Sequence, residues 1–284
     1  MEPRPFQEYL SDASVPARLE RFSLRGSPFL YIFLHLPKCG GTTIKYYLDA
    51  IEESFYVGRL VSFRAWSYQK REILDKLAGL KGQAIHALYG HTTFLGVHEA
   101  FPGLAPRYFT ALREPVSCVL SGYRYLLGLR PDHPYGAFIH GIMGPEGLSF
   151  AAWHERFNWW NQMTYYLSRM YEGERVPSWG KSRIETTPLP PVTERDFDRA
   201  RRLLDACFMV LDVDHLERDL ARLLQHMGGP TSLAARPVQL NSSLIPYELS
   251  DADRALIAAR NGWDARLYEH AKGYWTDSTG SSRP

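Results

Sequence analysis

The chain has 284 residues and an almost balanced charge, with 33 basic and 31 acidic side chains and a net charge of +2. This balance excludes a general electrostatic attraction to nucleic acid or to an anionic membrane, so any anion has to be bound by a local arrangement of groups. A hydrophobic content of 45% is typical of a globular protein that buries a substantial core.

The cysteines and the apolar segments indicate the cellular compartment in which the protein is expected. Cys39, Cys118 and Cys207 are widely separated and include no C-x-x-C pair, so they predict neither a zinc site nor a disulfide framework. Such a pattern fits a reducing compartment. No apolar run of the sequence is long enough to form a signal core or to cross a membrane. We therefore expect a cytoplasmic protein with no metal, membrane or nucleic-acid partner, while the sequence predicts no particular oligomeric state.

The first half of the chain twice shows a buried strand that leads through a turn into a helix. Residues 29–36, FLYIFLHL, form a continuous apolar run typical of a strand buried on both faces, and a helical pattern follows Gly40-Gly41. Residues 83–97 predict a short strand with a loop centred on Gly90-His91. Residues 107–114 predict a second buried strand, after which Pro115 opens a helix.

The second half alternates loops and helices with one short strand. Residues 150–171 predict a single aromatic helix, and the Pro- and Gly-rich segments around it make 130–192 an expected acceptor-binding or lid insertion. Further helices are predicted after Thr193, from about 214 to 227 and after Ser250, with the short strand FMVLDV before the second of them. Together with an N-terminal extension, 1–27, these elements predict one α/β domain over the whole chain, with a central, mainly parallel sheet flanked by helices.

The stretch HLPKCGGTTI, residues 35–44, has the features of a phosphate cradle. Gly40 and Gly41 let the backbone approach an anion, the first N–H groups of the following helix favour negative charge, and Thr42 and Thr43 add hydroxyl donors. Lys38 precedes the glycines, whereas the lysine of the common ATPase loop follows them, which argues against a magnesium-dependent ATPase. An ordinary turn between strand and helix is the other interpretation of this stretch.

The second turn offers another group of anion-binding side chains. In LREPVSCVLSGYRY, Arg113 stands at the strand end and Ser121 about two turns into the helix, with Arg124 and Tyr125 one turn further on. Arginine favours bidentate contact with phosphate-like groups. A nucleotide with phosphate groups at both ends needs two such sites.

Both turns resemble segments of one enzyme family. LPKCGGTT resembles the 5′-phosphosulfate loop of sulfotransferases, and YFTALREPVSCVLSGYRY resembles their 3′-phosphate segment. Together they are similar to the family that uses 3′-phosphoadenosine 5′-phosphosulfate (PAPS), with the greatest likeness to the branch that contains heparan sulfate and uronyl 2-O-sulfotransferases. LYGHTTFLGV resembles the segment that supplies the histidine base in that branch, and NGWDARLY its closing helix. The likeness spans about 29–126, returns near 208–228 and 255–271, and implies a P-loop-like fold.

The resemblance also implies roles for individual residues. Lys38 would contact the bridge between phosphate and sulfate and take part in catalysis, Arg113 and Ser121 would hold the 3′-phosphate, and His91 would be the general base. The residues that would hold the 5′-phosphate are Cys39, Gly40, Gly41, Thr42 and Thr43. The donor would be PAPS, the product 3′-phosphoadenosine 5′-phosphate (PAP), and no metal would be needed.

Two departures from the branch leave the acceptor open. Residue 89 is tyrosine where the branch often has a second histidine, and the chain shows no membrane anchor of the kind that Golgi members carry. The acceptor is therefore expected to be a hydroxyl-bearing small molecule or saccharide. Candidate acceptor-binding residues are Trp159, Trp160, Asn161 and Gln162, for which a helix facing the core is the alternative interpretation.

Other interpretations remain open at the level of the sequence. His35 is expected to be a packed core residue, and His98 and Glu99 are alternative bases because a carboxylate can perform the same role as an imidazole. A P-loop kinase that uses ATP on a small molecule is one alternative function. A non-catalytic protein that binds a nucleotide or a glycan is another.

Overall fold

The computed structural model describes residues 29–55, 59–63, 85–91, 93–130, 149–172, 190–227 and 247–276, together with a few isolated positions. The predicted extension 1–27 and most of the segments 130–149 and 173–192 lie outside the described residues.

The centre of the fold is a five-stranded sheet in which every neighbouring pair of strands is parallel. The strands are β1 Phe29–Leu34, β2 Arg59–Phe63, β3 Ile85–Gly90, β4 Ala105–Leu112 and β5 Met209–Asp212, in the order β2-β3-β1-β4-β5. Strand β1 is central and its residues from Leu30 to Leu34 are all buried, as the apolar run predicted. The prediction of an α/β fold with a parallel sheet is confirmed.

Eight α-helices have both of their ends among the described residues. They are α1 Gly41–Phe55, α2 Pro115–Leu127, α3 Phe150–Phe157, α4 Gln162–Glu172, α5 Glu194–Asp205, α6 Leu216–Met227, α7 Asp251–Arg260 and α8 Gly262–Thr276. The predicted caps are confirmed, since Thr193 and Ser250 each form a reciprocal capping box with the aspartate three residues later. None of the helices described here has the combination of length and apolar character that crossing a bilayer requires.

Two predicted helices are each divided in two. The aromatic helix predicted over 150–171 ends at Phe157, and α4 begins at Gln162. Asn158 and Asn161, between them, have left-handed φ angles of 46° and 55°, a conformation that asparagine tolerates better than most residues. The helix predicted after Ser250 is likewise interrupted at Asn261, between α7 and α8.

The order of the strands fixes where a ligand is expected to bind. From β1 the chain runs toward β2 at one edge of the sheet, and from β4 it runs toward β5 at the opposite edge. Because β1 and β4 are neighbours, their connections diverge and open a crevice beyond their carboxyl ends, which is where open parallel sheets bind ligands. The two turns singled out in the sequence both lie at this crevice.

Candidate functional site

The turns after β1 and β4 are in direct contact. Lys38 lies in the first turn, and Arg113 directly follows β4. Nη1 of Arg113 donates a long hydrogen bond of 3.4 Å to the carbonyl oxygen of Lys38. The two turns are about 75 residues apart in sequence, so it is the pairing of β1 with β4 that joins them.

The first turn has an unusual backbone and a tight packing constraint. Lys38 and Gly40 have positive φ angles of 64° and 71°. At Gly41 a Cβ atom would lie 1.7 Å from Nε2 of His35, so the His35 ring occupies the space that any larger residue would need. The first turn of α1 contains no acidic side chain that would compete with an anion for its amide groups.

Lys38 is held on the surface of α2. Its Cγ lies 3.9 Å from the position of a Cβ on Gly122, and its ammonium lies 4.0 Å from the centre of the Tyr125 ring. Burial lowers the pKa of Lys38 to about 8, with a smaller contribution from the charge of Arg113. The side chain is therefore mainly protonated at neutral pH and forms no ion pair with a carboxylate among the described residues.

Arg113 is the second cation of the site. Its Nε is buried and has no hydrogen-bond partner among the described residues, and no described carboxylate forms an ion pair with the guanidinium. A buried donor without a partner is costly. A bound anion would supply both a hydrogen-bond acceptor for Nε and a negative charge to pair with the guanidinium.

Glu114 was not identified from the sequence, and it changes the role of the second turn. Its carboxylate accepts hydrogen bonds from the backbone amides of Val116 and Ser117, at 2.9 and 2.7 Å, and so caps α2. The amino terminus of α2 is thus already occupied by a negative charge. The second turn can bind an anion through side chains such as Arg113 but not through these two amides. Glutamate followed by proline at a helix start was the signal in the sequence.

His91 follows β3 and is fixed beside the end of β1. Its Nδ1 lies 2.9 Å from the carbonyl oxygen of His35, and because a carbonyl only accepts, Nδ1 carries the proton and Nε2 the lone pair. The two imidazole rings are stacked with centroids 3.8 Å apart. Burial lowers the pKa of His91 to about 4, with a smaller contribution from the nearby charge of Lys38, so the ring is neutral at physiological pH.

A buried threonine supports this placement. The hydroxyl of Thr93 lies 2.9 Å from the carbonyl oxygen of Phe33 and 2.8 Å from that of Gly90, which ties the loop after β3 to β1. Nothing in the sequence distinguished Thr93 from an ordinary loop residue.

The alternative bases lie elsewhere. Nδ1 of His98 is 2.9 Å from the hydroxyl of Tyr108, and Tyr108 pairs with Ile32 in the sheet, two residues before the end of β1. Glu99 is exposed in the short 3₁₀ helix Val97–Ala100. The structure therefore places His91 beside the end of β1, whereas His98 contacts Tyr108 and Glu99 is exposed.

The remaining predicted donor-binding residues lie in the turn after β1, on α1 and on α2. Cys39 is fully buried, Thr42 is exposed and Thr43 half-buried at the start of α1, while Ser121 is half-buried on α2. Arg124 is not directed at the first turn. Its Nε and Nη2 both donate to the carbonyl oxygen of Tyr247, which anchors that residue to α2.

The four predicted acceptor residues lie in and beside an aromatic cluster on α2, which includes Tyr123, Phe150, Trp153 and Trp160. Trp160 is buried in it, Trp159 packs against it, and the cluster covers the face of α2 that carries Val119 and Tyr123. The Oε1 atom of Gln162 is buried without a hydrogen-bond partner among the described residues. A cleft of about 410 Å³ adjoins this region, and its lining includes Asn158, Trp160, Asn161, Arg260, Trp263 and Arg266.

The side chain of Asn161 has a structural role. Its Oδ1 accepts hydrogen bonds from the amides of Trp263 and Asp264, at 2.9 and 3.1 Å, and its Nδ2 donates to the carbonyl oxygen of Arg260. These contacts cap the amino terminus of α8. The asparagine that the sequence suggested as an acceptor contact is thus engaged within the fold.

Among the residues that the structure describes, no group of three or more His, Cys, Asp or Glu side chains is arranged to hold a metal ion.

Neither models of known protein families nor curated protein sequences match this chain. The likeness of its two turns to sulfotransferase segments therefore stays a hypothesis, and its support has to come from the geometry of the site.

Proposed function

We propose that this protein is a sulfotransferase, with a P-loop-like fold, that moves a sulfuryl group from PAPS to a hydroxyl acceptor. One observation carries the proposal. The turns after β1 and β4 meet at the crevice of the sheet, where Lys38 and Arg113 bring two cations together without a carboxylate partner among the described residues. His91, a neutral imidazole, lies within electrostatic range of Lys38.

The residues of both turns fit an anionic nucleotide. The first turn of α1 has no acidic side chain, and the amide groups at the start of the helix favour an anion. Arg113 has an unpartnered Nε and would bind a phosphate at the other end of the nucleotide. PAPS carries phosphate groups at both its 5′ and 3′ ends and supplies an activated sulfuryl group.

Lys38 and His91 have the protonation states that the reaction requires. The acceptor oxygen forms a bond to sulfur while the bond from sulfur to the bridging phosphate oxygen breaks, and PAP leaves. Lys38, as an ammonium, would stabilise the negative charge that develops on the leaving oxygen. His91 would accept the acceptor's proton at Nε2, since its Nδ1 proton is held by the carbonyl of His35.

The acceptor is proposed to be a small molecule or saccharide bound near the aromatic cluster of α2. Tyr125 is the structural link, because its ring contacts the ammonium of Lys38 and also packs against that cluster. Aromatic faces such as those of Trp159 and Trp160 suit the apolar faces of a sugar ring or an aryl group.

The first test compares ligands by thermal shift. PAP at about 100 times its Kd should stabilise the protein by about 2.7 kcal/mol, which corresponds to roughly 5 °C for a chain of this size. Lys38→Met and Arg113→Lys should each weaken PAP binding about tenfold or more, because each removes a charge-assisted contact.

Two matched substitutions serve as controls. Lys272→Met alters a lysine on α8 that pairs with Glu269, and Arg107→Lys alters an arginine of β4 stacked on the Phe29 and Phe208 rings. Both should leave PAP binding unchanged.

Two outcomes would favour another function. Stabilisation by ATP with magnesium but not by PAP would contradict the proposal and favour a kinase. Binding of PAP without any sulfate transfer would favour a non-catalytic binding protein.

A further inference from the structure

Two thiols face each other inside the candidate site. Sγ of Cys39, in the turn after β1, lies 3.9 Å from Sγ of Cys118, in the first half of α2. Both are free thiols, with 0% and 4% of their surface exposed. The only other cysteine of the chain, Cys207, lies between α5 and β5.

The Cys39–Cys118 pair is part of the contact between the turn after β1 and helix α2. Cys118 and Gly122 are four residues apart and share one face of the helix. Cys39 lies against the first of them and Lys38 against the second, with its Cγ 3.9 Å from the Cβ position of Gly122. A change in the distance between the two sulfurs therefore moves Cys39, the neighbour of Lys38 in the chain, relative to α2.

The hydrogen bond with Cys118 and burial raise the pKa of Cys39 well above its usual range, so Cys39 is the thiol that keeps its proton. Two cations lie near the pair, since Lys38 interacts electrostatically with both cysteines and Arg113 with Cys39. The thiolate is the form of a cysteine that reacts, and nearby cations favour it. Because both sulfurs are buried, a small oxidant can reach them more readily than a bulky disulfide. A disulfide needs an S–S distance of about 2.05 Å, so the sulfurs have to approach by roughly 1.9 Å.

We propose that Cys39 and Cys118 form a peroxide-sensitive dithiol whose oxidation to a disulfide weakens anion binding at the turn after β1. The ionised sulfur of Cys118 attacks one oxygen of hydrogen peroxide, the O–O bond breaks, and the departing hydroxide becomes water by taking up a proton. The sulfur of Cys39 then attacks the resulting sulfenic acid, the S–S bond forms, and the S–O oxygen leaves as a second water with the Cys39 proton. Two thiols are oxidised and one peroxide is reduced to two waters.

The effect on binding follows from the position of Cys39. It lies between Lys38 and Gly40, whose positive φ angles shape the turn. Drawing Cys39 toward α2 displaces both neighbours, and binding sites of this kind tolerate shifts of only about 0.5 Å. We expect the oxidised protein to bind PAP at least about tenfold more weakly, an expectation that rests on the proposed function.

The experiment treats the full-length protein with hydrogen peroxide, followed in half the sample by dithiothreitol. Peptide mapping by mass spectrometry without reduction should find the peptides of Cys39 and Cys118 joined and lighter by two hydrogen atoms. PAP binding, measured before oxidation, after it and after reduction, should fall and then recover. Cys207→Ser should behave like the wild type, whereas Cys118→Ser should form no cross-link and keep the PAP affinity that it had before oxidation.

Failure of this inference is distinguishable from failure of the proposed function. If the reduced wild type does not bind PAP, the proposed function is wrong, whatever the thiols do. If the reduced protein binds PAP but peroxide produces no cross-link between Cys39 and Cys118, or a cross-link that leaves PAP binding unchanged, the dithiol inference is overturned. The same conclusion follows if Cys118→Ser loses PAP binding on oxidation as the wild type does.

Discussion

Single residues at the end of β1 combine packing with chemistry. The ring of His35 lies between the rings of Phe33 and His91, with centroids 5.3 and 3.8 Å away, and it fills the space over Gly41. One side chain thus links the candidate base to the start of α1. The absence of a side chain at Gly41 is as necessary for this arrangement as the presence of the imidazole.

Gly41→Ala should destabilise the protein by about 1–3 kcal/mol, because the new methyl group would overlap the His35 ring and force it to move. Urea unfolding measures the change. Gly273→Ala is the matched control, since a Cβ at this position in α8 meets no atom within 4 Å, and it should stabilise the protein by about 0.5–1 kcal/mol. Adding His35→Ala to Gly41→Ala should recover part of the loss. A Gly41→Ala protein as stable as the wild type would contradict the packing described here.

The protonation states predict a pH profile for sulfate transfer. As pH falls through about 4, His91 gains a proton and can no longer act as a base, so kcat/KM should fall. As pH rises through about 8, Lys38 loses its proton and its charge, so kcat/KM should fall again.

Variants at these two positions separate the two limbs of the profile. Lys38→Arg should remove the limb near pH 8 because a guanidinium stays protonated there, while Lys272→Arg should leave it in place. His91→Ala should lower kcat/KM by about 10²–10⁴-fold at neutral pH. A limb near pH 8 that survives in Lys38→Arg would assign it to another group.

At the scale of elements, the amino termini of α4 and α8 cap each other. Asn161, which precedes α4, accepts hydrogen bonds from two amides in the first turn of α8. Asp264, in that turn of α8, accepts in return from the amides of Met163 and Thr164, at 3.1 and 2.8 Å. Because the partners are about 100 residues apart, each helix start is determined by the other rather than by a local cap.

Asn161→Ala should cost about 2–4 kcal/mol of unfolding free energy, because it leaves two amides of α8 and the carbonyl of Arg260 without their partner. Asn161→Gly removes the same contacts, but glycine adopts the positive φ angle without strain. Its loss of unfolding free energy should therefore be smaller, and it measures the contribution of the cap alone. Ser250→Ala, at the exposed local cap of α7, should cost about 1 kcal/mol. If Asn161→Gly instead lost acceptor binding without losing stability, the capping role would be wrong and an acceptor contact would be favoured.

The elements that the sequence missed had weak local signals. Strand β2, RLVSF, has five residues and neither the length nor the apolar continuity of β1. The division of the aromatic helix was hidden because Trp159 and Trp160 maintain its apolar pattern through the break. Helices with strong local caps, such as those after Thr193 and Ser250, began where they were predicted, because their hydrogen bonds lie within four residues.

At the scale of the whole molecule, the order of the strands creates the candidate site. With β1 and β4 as neighbours whose connections diverge, Lys38 and Arg113 meet although neither turn alone forms a complete site. The neighbouring position of β3 brings His91 to the same edge, beside His35. Three loops distant in sequence therefore supply the proposed anion contacts and the proposed base.

The sequence by itself determined the α/β class, the buried strand β1, the two turns that follow strands, and the residue types that suit an anion in each turn. These features depend on local periodicity and on the conformational preferences of a few residues, which are legible along the chain. The cap that Glu114 forms on α2 is also local, since its hydrogen bonds lie within three residues. Only the tertiary structure decided that Asn161 caps α8 and that Cys39 faces Cys118. Both are contacts between elements far apart in sequence, and local sequence patterns do not specify such contacts.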